Sequence, residues 1–133
     1  MNLAIEFHDS ELTSIAKRSG LLELRLDAYI HKSKGTPGVD AGTGWWQDAM
    51  LFVADGVVEG EITHWPAELY DGTLEIDGET IENVVPIPLD RCGTIRLTLK
   101  PCFYDDPIVV RGSRVRLELF QGVPRRVENF PGL

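Results

Sequence analysis

The run LLELRLDAYIH, Leu21 to His31, sets Leu22, Leu24, Leu26, Ala28 and Ile30 at every second position among mostly polar neighbours. A side-chain period of two belongs to a strand with one dry face and one wet face. TIRLTLK (Thr94–Lys100) and RVRLELF (Arg114–Phe120) obey the same rule, and Asp-Gly, Gly-Ser and Gln-Gly breaks fall between such runs. Alternating strands punctuated in this way predict an all-β chain. The expected architecture is an antiparallel β-sandwich of about nine or ten strands with little helix. With 133 residues, 43% of them hydrophobic, the chain has material for one core, so residues 1–133 are read as a single domain.

Local turn chemistry sets several registers. Asp77-Gly78, inside TLEIDGETIEN, is a favoured two-residue type I′ turn. It pairs Ile76 with Glu79, Leu74 with Ile81, Glu75 with Thr80 and Thr73 with Glu82, leaving Leu74, Ile76 and Ile81 on the dry side and Glu75 and Glu82 in water. A Gly112-Ser113 turn is expected to pair Val110 with Val115 and Ile108 with Leu117, with Arg111, Arg114 and Arg116 on the opposite side. WWQDAMLFVADG reads as a buried strand ending at Asp55-Gly56, with VVEGEITH as its expected partner. LAIEF reads as a short first strand ending at the polar corner His8, Asp9, Ser10. The segment after it, SELTSIAKRSG, fits two conformations: a helix grouping Leu12, Ile15 and Ala16, or a strand turning near Gly20 into the Leu21 run.

Charge is unevenly spread over the net −8. Residues 1–90 hold seventeen acidic residues against five basic, and residues 91–133 hold eight basic against four acidic. Lys34 and Arg91 bracket an interval with no Lys or Arg and twelve carboxylates. Such a chain repels phosphate backbones, which argues against nucleic-acid binding. By the turn register and the period of two, Glu59, Glu61, Glu75 and Glu82 are expected to share one wet neighbourhood. Two kinds of cation can answer them: the Arg111, Arg114 and Arg116 face of this chain, or a basic protein partner. The same carboxylates also fit a solvated face that keeps the protein soluble.

Reaction signatures are missing. No Gly-x-Ser-x-Gly surrounds any serine, and the glycines of GTPGVDAGTG (Gly35–Gly44) lack the Gly-Lys-Ser/Thr that ends a phosphate loop, leaving a mobile surface loop. His8, His31 and His64 have no ligand-like spacing, so neither a metal nor a cofactor is expected. His8-Asp9 is read as a turn, with Asp9 on backbone amides and His8 hydrogen-bonded at the rim. Trp45-Trp46 on one strand sends one ring inward as core and the other outward, where it is either covered by the Gly35–Gly44 loop or offers a flat contact for a sugar or a protein. Glu6 and Asp9 interrupt the N-terminus before any signal-like apolar run, and the longest later apolar run, Ala49–Ala54, is too short to span a membrane. Cys92 and Cys102 flank a strand that holds them about 30 Å apart, so they are read as free thiols of a cytosolic protein.

The opening Phe7-His8-Asp9-Ser10-Glu11-Leu12 resembles small uncharacterised bacterial β-sandwich proteins that begin F-H-D-S/A-E, among them immunity-like families proposed to neutralise polymorphic toxins. The likeness covers about ten residues by motif and the remainder by strand spacing. It implies a strand for Glu11–Lys17 and a signature role, not a catalytic one, for Phe7, His8, Asp9, Ser10 and Glu11. The expected function is therefore a non-enzymatic interaction protein binding a basic partner through Glu59, Glu61, Glu75 and Glu82. The alternative is a small-ligand or carbohydrate-binding module built on Trp45 and Trp46, and a hydrolase of unrecognised type comes third.

Overall fold

A computed structural model describes residues 1–132, and among these there is no helix. Ten strands follow in order: β1 (Asn2–Arg18), β2 (Leu21–Ser33), β3 (Gly42–Ala54), β4 (Val57–Glu59), β5 (Ala67–Ile76), β6 (Glu79–Glu82), β7 (Val84–Ile87), β8 (Leu89–Pro101), β9 (Ile108–Leu119) and β10 (Arg125–Phe130). The all-β expectation holds. The sandwich does not, because the long strands close on themselves in the order β1-β2-β3-β9-β8-β5 and back to β1. The closing seam is short: Glu11 opposes Glu68 and Leu12 opposes Ala67. Twisted antiparallel strands that meet in this way form a barrel with one filled interior instead of two facing layers.

The closed barrel leaves the remaining strands to continue its walls. β1 pairs with β7 along Leu3–Glu6 and with β5 only farther on, and β3 pairs with β10 along Gly42–Trp46 before meeting β9 along Ala49–Ala54. Inward side chains come from every barrel strand, Leu12, Leu24, Leu51, Leu74, Leu97 and Leu117 among them, all essentially inaccessible to water. Complete burial of one such side chain contributes about 1.5–3 kcal/mol.

Several local readings are met and others are corrected. Glu11–Lys17 is strand, and β1 turns into β2 through Ser19 and Gly20, both at positive φ as a type I′ turn requires. The Asp77-Gly78 hairpin has the expected register at all its pairs. Gly112-Ser113 is not a turn: β9 runs straight through it, with Val110 paired to β8 and β4 and Val115 to β8 and β3. The switch of inward residues from Ile108 and Val110 to Val115 and Leu117 is absorbed by a bulge, in which Gly93 and Thr94 of β8 face Ser113 alone. Nor does Val57–Glu59 pair with the strand before it. Both flanks of Ala49–Ala54 are taken by β2 and β9, so β4 pairs instead with Val109–Arg111 of β9, on the same edge as β3 and beyond its end.

The largest irregularity lies in β1. Between the pairs Glu6–Tyr29 and Glu11–Asp27, residues Phe7 to Ser10 face only Ala28 of β2. Phe7 enters the core and fills the space over Gly72 of β5, where a Cβ would lie 2.5 Å from its ring. Gly72→Ala is therefore expected to destabilise the protein by about 1–3 kcal/mol through overpacking. Urea unfolding checks this, and an unchanged midpoint would contradict the Phe7–Gly72 contact.

Candidate interaction surface

The Phe7–Glu11 motif builds the bulge, with His8 and Ser10 bonding backbone through their side chains. Ser10, fully buried, donates through Oγ to the Glu6 carbonyl (2.6 Å) and accepts from the Tyr29 amide (2.9 Å), so one hydroxyl replaces the strand bonds that the bulge removes. Asp9 takes a positive φ of 73°, and its carbonyl accepts from Trp46 Nε1 at 3.0 Å. Asp9 does not bond backbone amides with its carboxylate, as the sequence suggested. Its side chain is exposed, 3.5 Å from His8 Nε2. His8 Nδ1 donates to the Tyr70 carbonyl (2.9 Å), which, with the Asp9, Glu6 and Asp71 carboxylates, raises the imidazole pKa against the opposing effect of burial.

Asn83, which the sequence did not single out, clasps the bulge from the β6–β7 link. It accepts the His8 amide through Oδ1 and the Phe7 amide through its carbonyl, each at 2.8 Å, and donates from Nδ2 to Glu6. The other Glu6 oxygen meets His31 Nε2 at 3.0 Å. Tyr29 beside them is buried, and burial first, then Glu128, Glu6 and Asp9, pushes its pKa up to about 12.

By bringing β1 back into register at Glu11, the bulge creates a row of carboxylates across the outside of the barrel. Glu68 of β5 opposes Glu11 of β1, Glu11 opposes Asp27 of β2, and Asp27 opposes Asp48 of β3. Like charges in directly opposed positions repel. At one end the repulsion is answered: Arg125 of β10 bonds Asp27 and reaches Asp48 at 3.4 Å, and Arg25 lies 3.5 Å from Asp48. At the other end, among the described residues, Glu11 and Glu68 have no Lys, Arg or His within ion-pair distance. Burial first, and then the Glu68 and Asp9 carboxylates, raise the pKa of the nearby Cys102 thiol.

That unanswered end is lined with aromatic rings. A recess of about 320 Å³ is lined by Glu11, Glu68, His64, Trp65, Phe103 and Tyr104, together with Pro66 and Ala67. Trp65 is 45% exposed, Phe103 63% and Tyr104 83%, values that set these rings apart from the buried core. They stand on two connections, Gly60–Pro66 and Cys102–Pro107, which Asp105 fastens together. Its carboxylate accepts from Thr63 Oγ1 (2.6 Å), the Thr63 amide (3.0 Å) and the His64 amide (3.2 Å). These bonds, Thr63 Oγ1 first, hold the Asp105 pKa below its usual 3.8. His64 stacks on Tyr104 with ring centroids 4.3 Å apart.

The residues singled out in the sequence are otherwise scattered. Glu59 accepts from Arg111 Nε at 2.8 Å, and Glu75 lies 3.7 Å from Arg96, so two of the four expected carboxylates have internal cations. Glu82 and Glu59 stand at opposite ends of a row through Thr73, Thr98 and Val109, about 19 Å apart at ordinary strand spacing. Glu61 is exposed in the same connection as His64 and Trp65. Arg114 forks onto Asp90 (2.8 and 2.7 Å), and Arg116 lies over the Phe52 ring.

Trp45 is buried and donates to Gln47, while Trp46 is covered by Arg126 with its N–H spent on Asp9. A recess of about 560 Å³ does lie beside the Gly35–Val39 loop, but its walls are Leu3, Val39, Val84, Pro86 and Ile87, with neither tryptophan. The loop itself is closed by Asp40, which accepts from the Thr36 amide at 2.6 Å, and Gly42 and Gly44 belong to β3. Cys92 and Cys102 are both free. No three His, Cys, Asp or Glu side chains among the described residues gather as metal ligands, and no helix is long and apolar enough to cross a membrane.

Closed antiparallel barrel and acidic aromatic corner together describe this chain. No known protein family, curated protein or solved structure was found to match it. The aromatic corner escaped the sequence reading because Trp65 and Tyr104 are 39 positions apart and each sits in an unpatterned loop. The available signal was the concentration of Trp, Phe and Tyr outside the alternating runs.

Because the Asp105 carboxyl pKa is depressed on folding, its contribution is complete above the unfolded value near 3.8 and is lost as pH falls through the folded one. Acid titration followed by the Tyr104 and His64 ring resonances should therefore show the stack loosening in that window. Asp105→Asn should abolish that step. Its stack should be loose at every pH, and a variant stack as tight as that of wild type at neutral pH would mean that Asp105 does not hold the corner.

Proposed function

We propose that the protein is a non-catalytic binding module that docks a basic protein partner on the face formed by Glu11, Glu68 and the Trp65, Phe103 and Tyr104 corner. The observation that carries the proposal is the opposed Glu11–Glu68 pair, left without a cation beside large exposed rings. Both features lower the stability of the isolated protein, through like-charge repulsion and through exposed apolar area. A basic partner would relieve the first and cover the second, and rigid aromatics are the side chains on which interfaces concentrate their binding energy. The immunity-like resemblance of Phe7–Glu11 agrees with this role, and two unpaired thiols agree with a reducing compartment such as the cytosol.

Glu61 stays in this surface, whereas Glu59 and Glu75, already answered by arginines, become structural. A ligand-binding module based on Trp45 and Trp46 has less support, since both rings are occupied within the fold.

The proposal separates stability from binding. Glu68→Gln should raise the unfolding free energy by about 0.2–1 kcal/mol, by removing one of two opposed charges. The same change should weaken retention of a basic protein from lysate of the source organism, with retention in wild type falling as salt rises. Glu75→Gln with Glu82→Gln serves as the control and should retain it as wild type does. Equal retention by all variants, or a captured protein that is not basic, would contradict the proposal.

A further inference from the structure

The fold contains its own example of how this carboxylate row accepts a cation. Along the row, Asp27 and Asp48 form one opposed pair and Glu11 and Glu68 another. Arg125 spans the first pair, and the next residue, Arg126, places its guanidinium 4.8 Å from the centre of the Trp46 ring. The start of β10, paired beside β3, thus places one arginine on two carboxylates and its neighbour on an aromatic. The second pair is likewise directly opposed across two strands, with rings at hand and, among the described residues, no arginine within ion-pair distance.

The chemistry favours arginine over lysine at such a place. A guanidinium is planar, so it stacks on a flat ring system, and its five donors form a fork that can serve two carboxylates at once. Lysine offers one compact ammonium that is strongly hydrated. The chain stacks three of its own guanidinium groups on rings, Arg25 on Phe120, Arg116 on Phe52 and Arg126 on Trp46. At the open pair, the His64–Tyr104 stack supplies the plane, and Asp105 fixes that plane before any partner arrives. An anchor site built beforehand loses little entropy on binding.

We infer that the recess beside Glu11 and Glu68 receives the guanidinium of an arginine presented by the basic partner, between the two carboxylates and the His64–Tyr104 rings. This rests on the proposed docking face and adds the identity of its central contact. Charge complementarity sets the cation, and the planar ring wall sets its shape.

The probes are two capped peptides, acetyl-Gly-Arg-Gly-amide and acetyl-Gly-Lys-Gly-amide, titrated into the intact protein and followed by NMR. Saturable shifts should be confined to Glu11, His64, Trp65, Glu68, Phe103 and Tyr104, with the arginine peptide binding roughly threefold or more tighter than the lysine peptide. Tyr104→Ala, at a position too exposed to disturb the fold, should bring the arginine peptide down to the lysine level with an unchanged melting curve. Glu68→Gln should weaken both peptides. Equal binding of the two peptides, shifts centred elsewhere, or no binding of either would overturn the arginine anchor. The docking face is judged separately, by the Glu68→Gln retention experiment with the partner itself, so one idea can fail while the other stands.

Discussion

Everything outside the core of this protein depends on one constraint: β1 must serve two different neighbours on the same edge. Its first part pairs with β7 and its later part with β5, and only the second pairing closes the barrel. A regular strand would carry its side chains past the seam in fixed phase. The four residues Phe7–Ser10, facing Ala28 alone, reset that phase. Bulges of this kind remove ladder hydrogen bonds, and a buried amide left without a partner costs about 1–3 kcal/mol. Here the Ser10 hydroxyl takes the Tyr29 amide, and Asn83 takes those of Phe7 and His8. The Phe7-His8-Asp9-Ser10-Glu11 motif is thus a piece of backbone engineering, with His8 and Asp9 at its rim.

The electrostatic pattern follows from closure. The N-terminal acids lie in the β1–β2–β3 wall, and the C-terminal bases return to it through β10, where Arg125 and Arg126 cover Asp27, Asp48 and Trp46. Part of the charge asymmetry along the chain is in this way cancelled in space. Arg111 with Glu59 and Arg114 with Asp90 continue the cancellation around β9. Cancellation does not extend to the seam, because β10 pairs only with β3 and, among the described residues, nothing basic lies within ion-pair distance of Glu11 and Glu68. The Thr63–Asp105–His64 bonds hold exposed rings at that same place, so apolar area and uncompensated charge coincide.

Sequence patterns were informative wherever structure is local. Asp77-Gly78 set a complete hairpin register, and the period of two in Leu22–Ile30 marked the inward face of β2, because turn type and pleat act over two to ten residues. Failure came with contacts between distant segments. Barrel closure turns on Glu11 and Leu12 meeting Glu68 and Ala67, which no local periodicity records. The break in alternation near Gly112-Ser113 looked like a turn, since a bulge across the strand pair leaves the same imprint on one chain. The expected cluster of Glu59, Glu61, Glu75 and Glu82 assumed that β4 lies beside the β5–β6 hairpin, whereas β8 and β9 separate them. Glu11 and Glu61 were in view for other reasons, while Glu68, Asn83 and Asp105 show their roles only in three dimensions.

Native-state amide exchange in Ser10→Ala probes the bulge residue by residue. Removing Oγ strips the Tyr29 amide of its acceptor and loosens the seam without touching the β3–β9 pairing. The Tyr29 amide and those around Glu11, Leu12, Ala67 and Glu68 should lose protection by roughly tenfold or more, the kinetic equivalent of about 1.4 kcal/mol, while Leu51, Val53 and Val115 change less. Uniform loss across all strands, or unaltered protection at Tyr29 and the seam, would contradict the claim that this bulge holds the barrel closed.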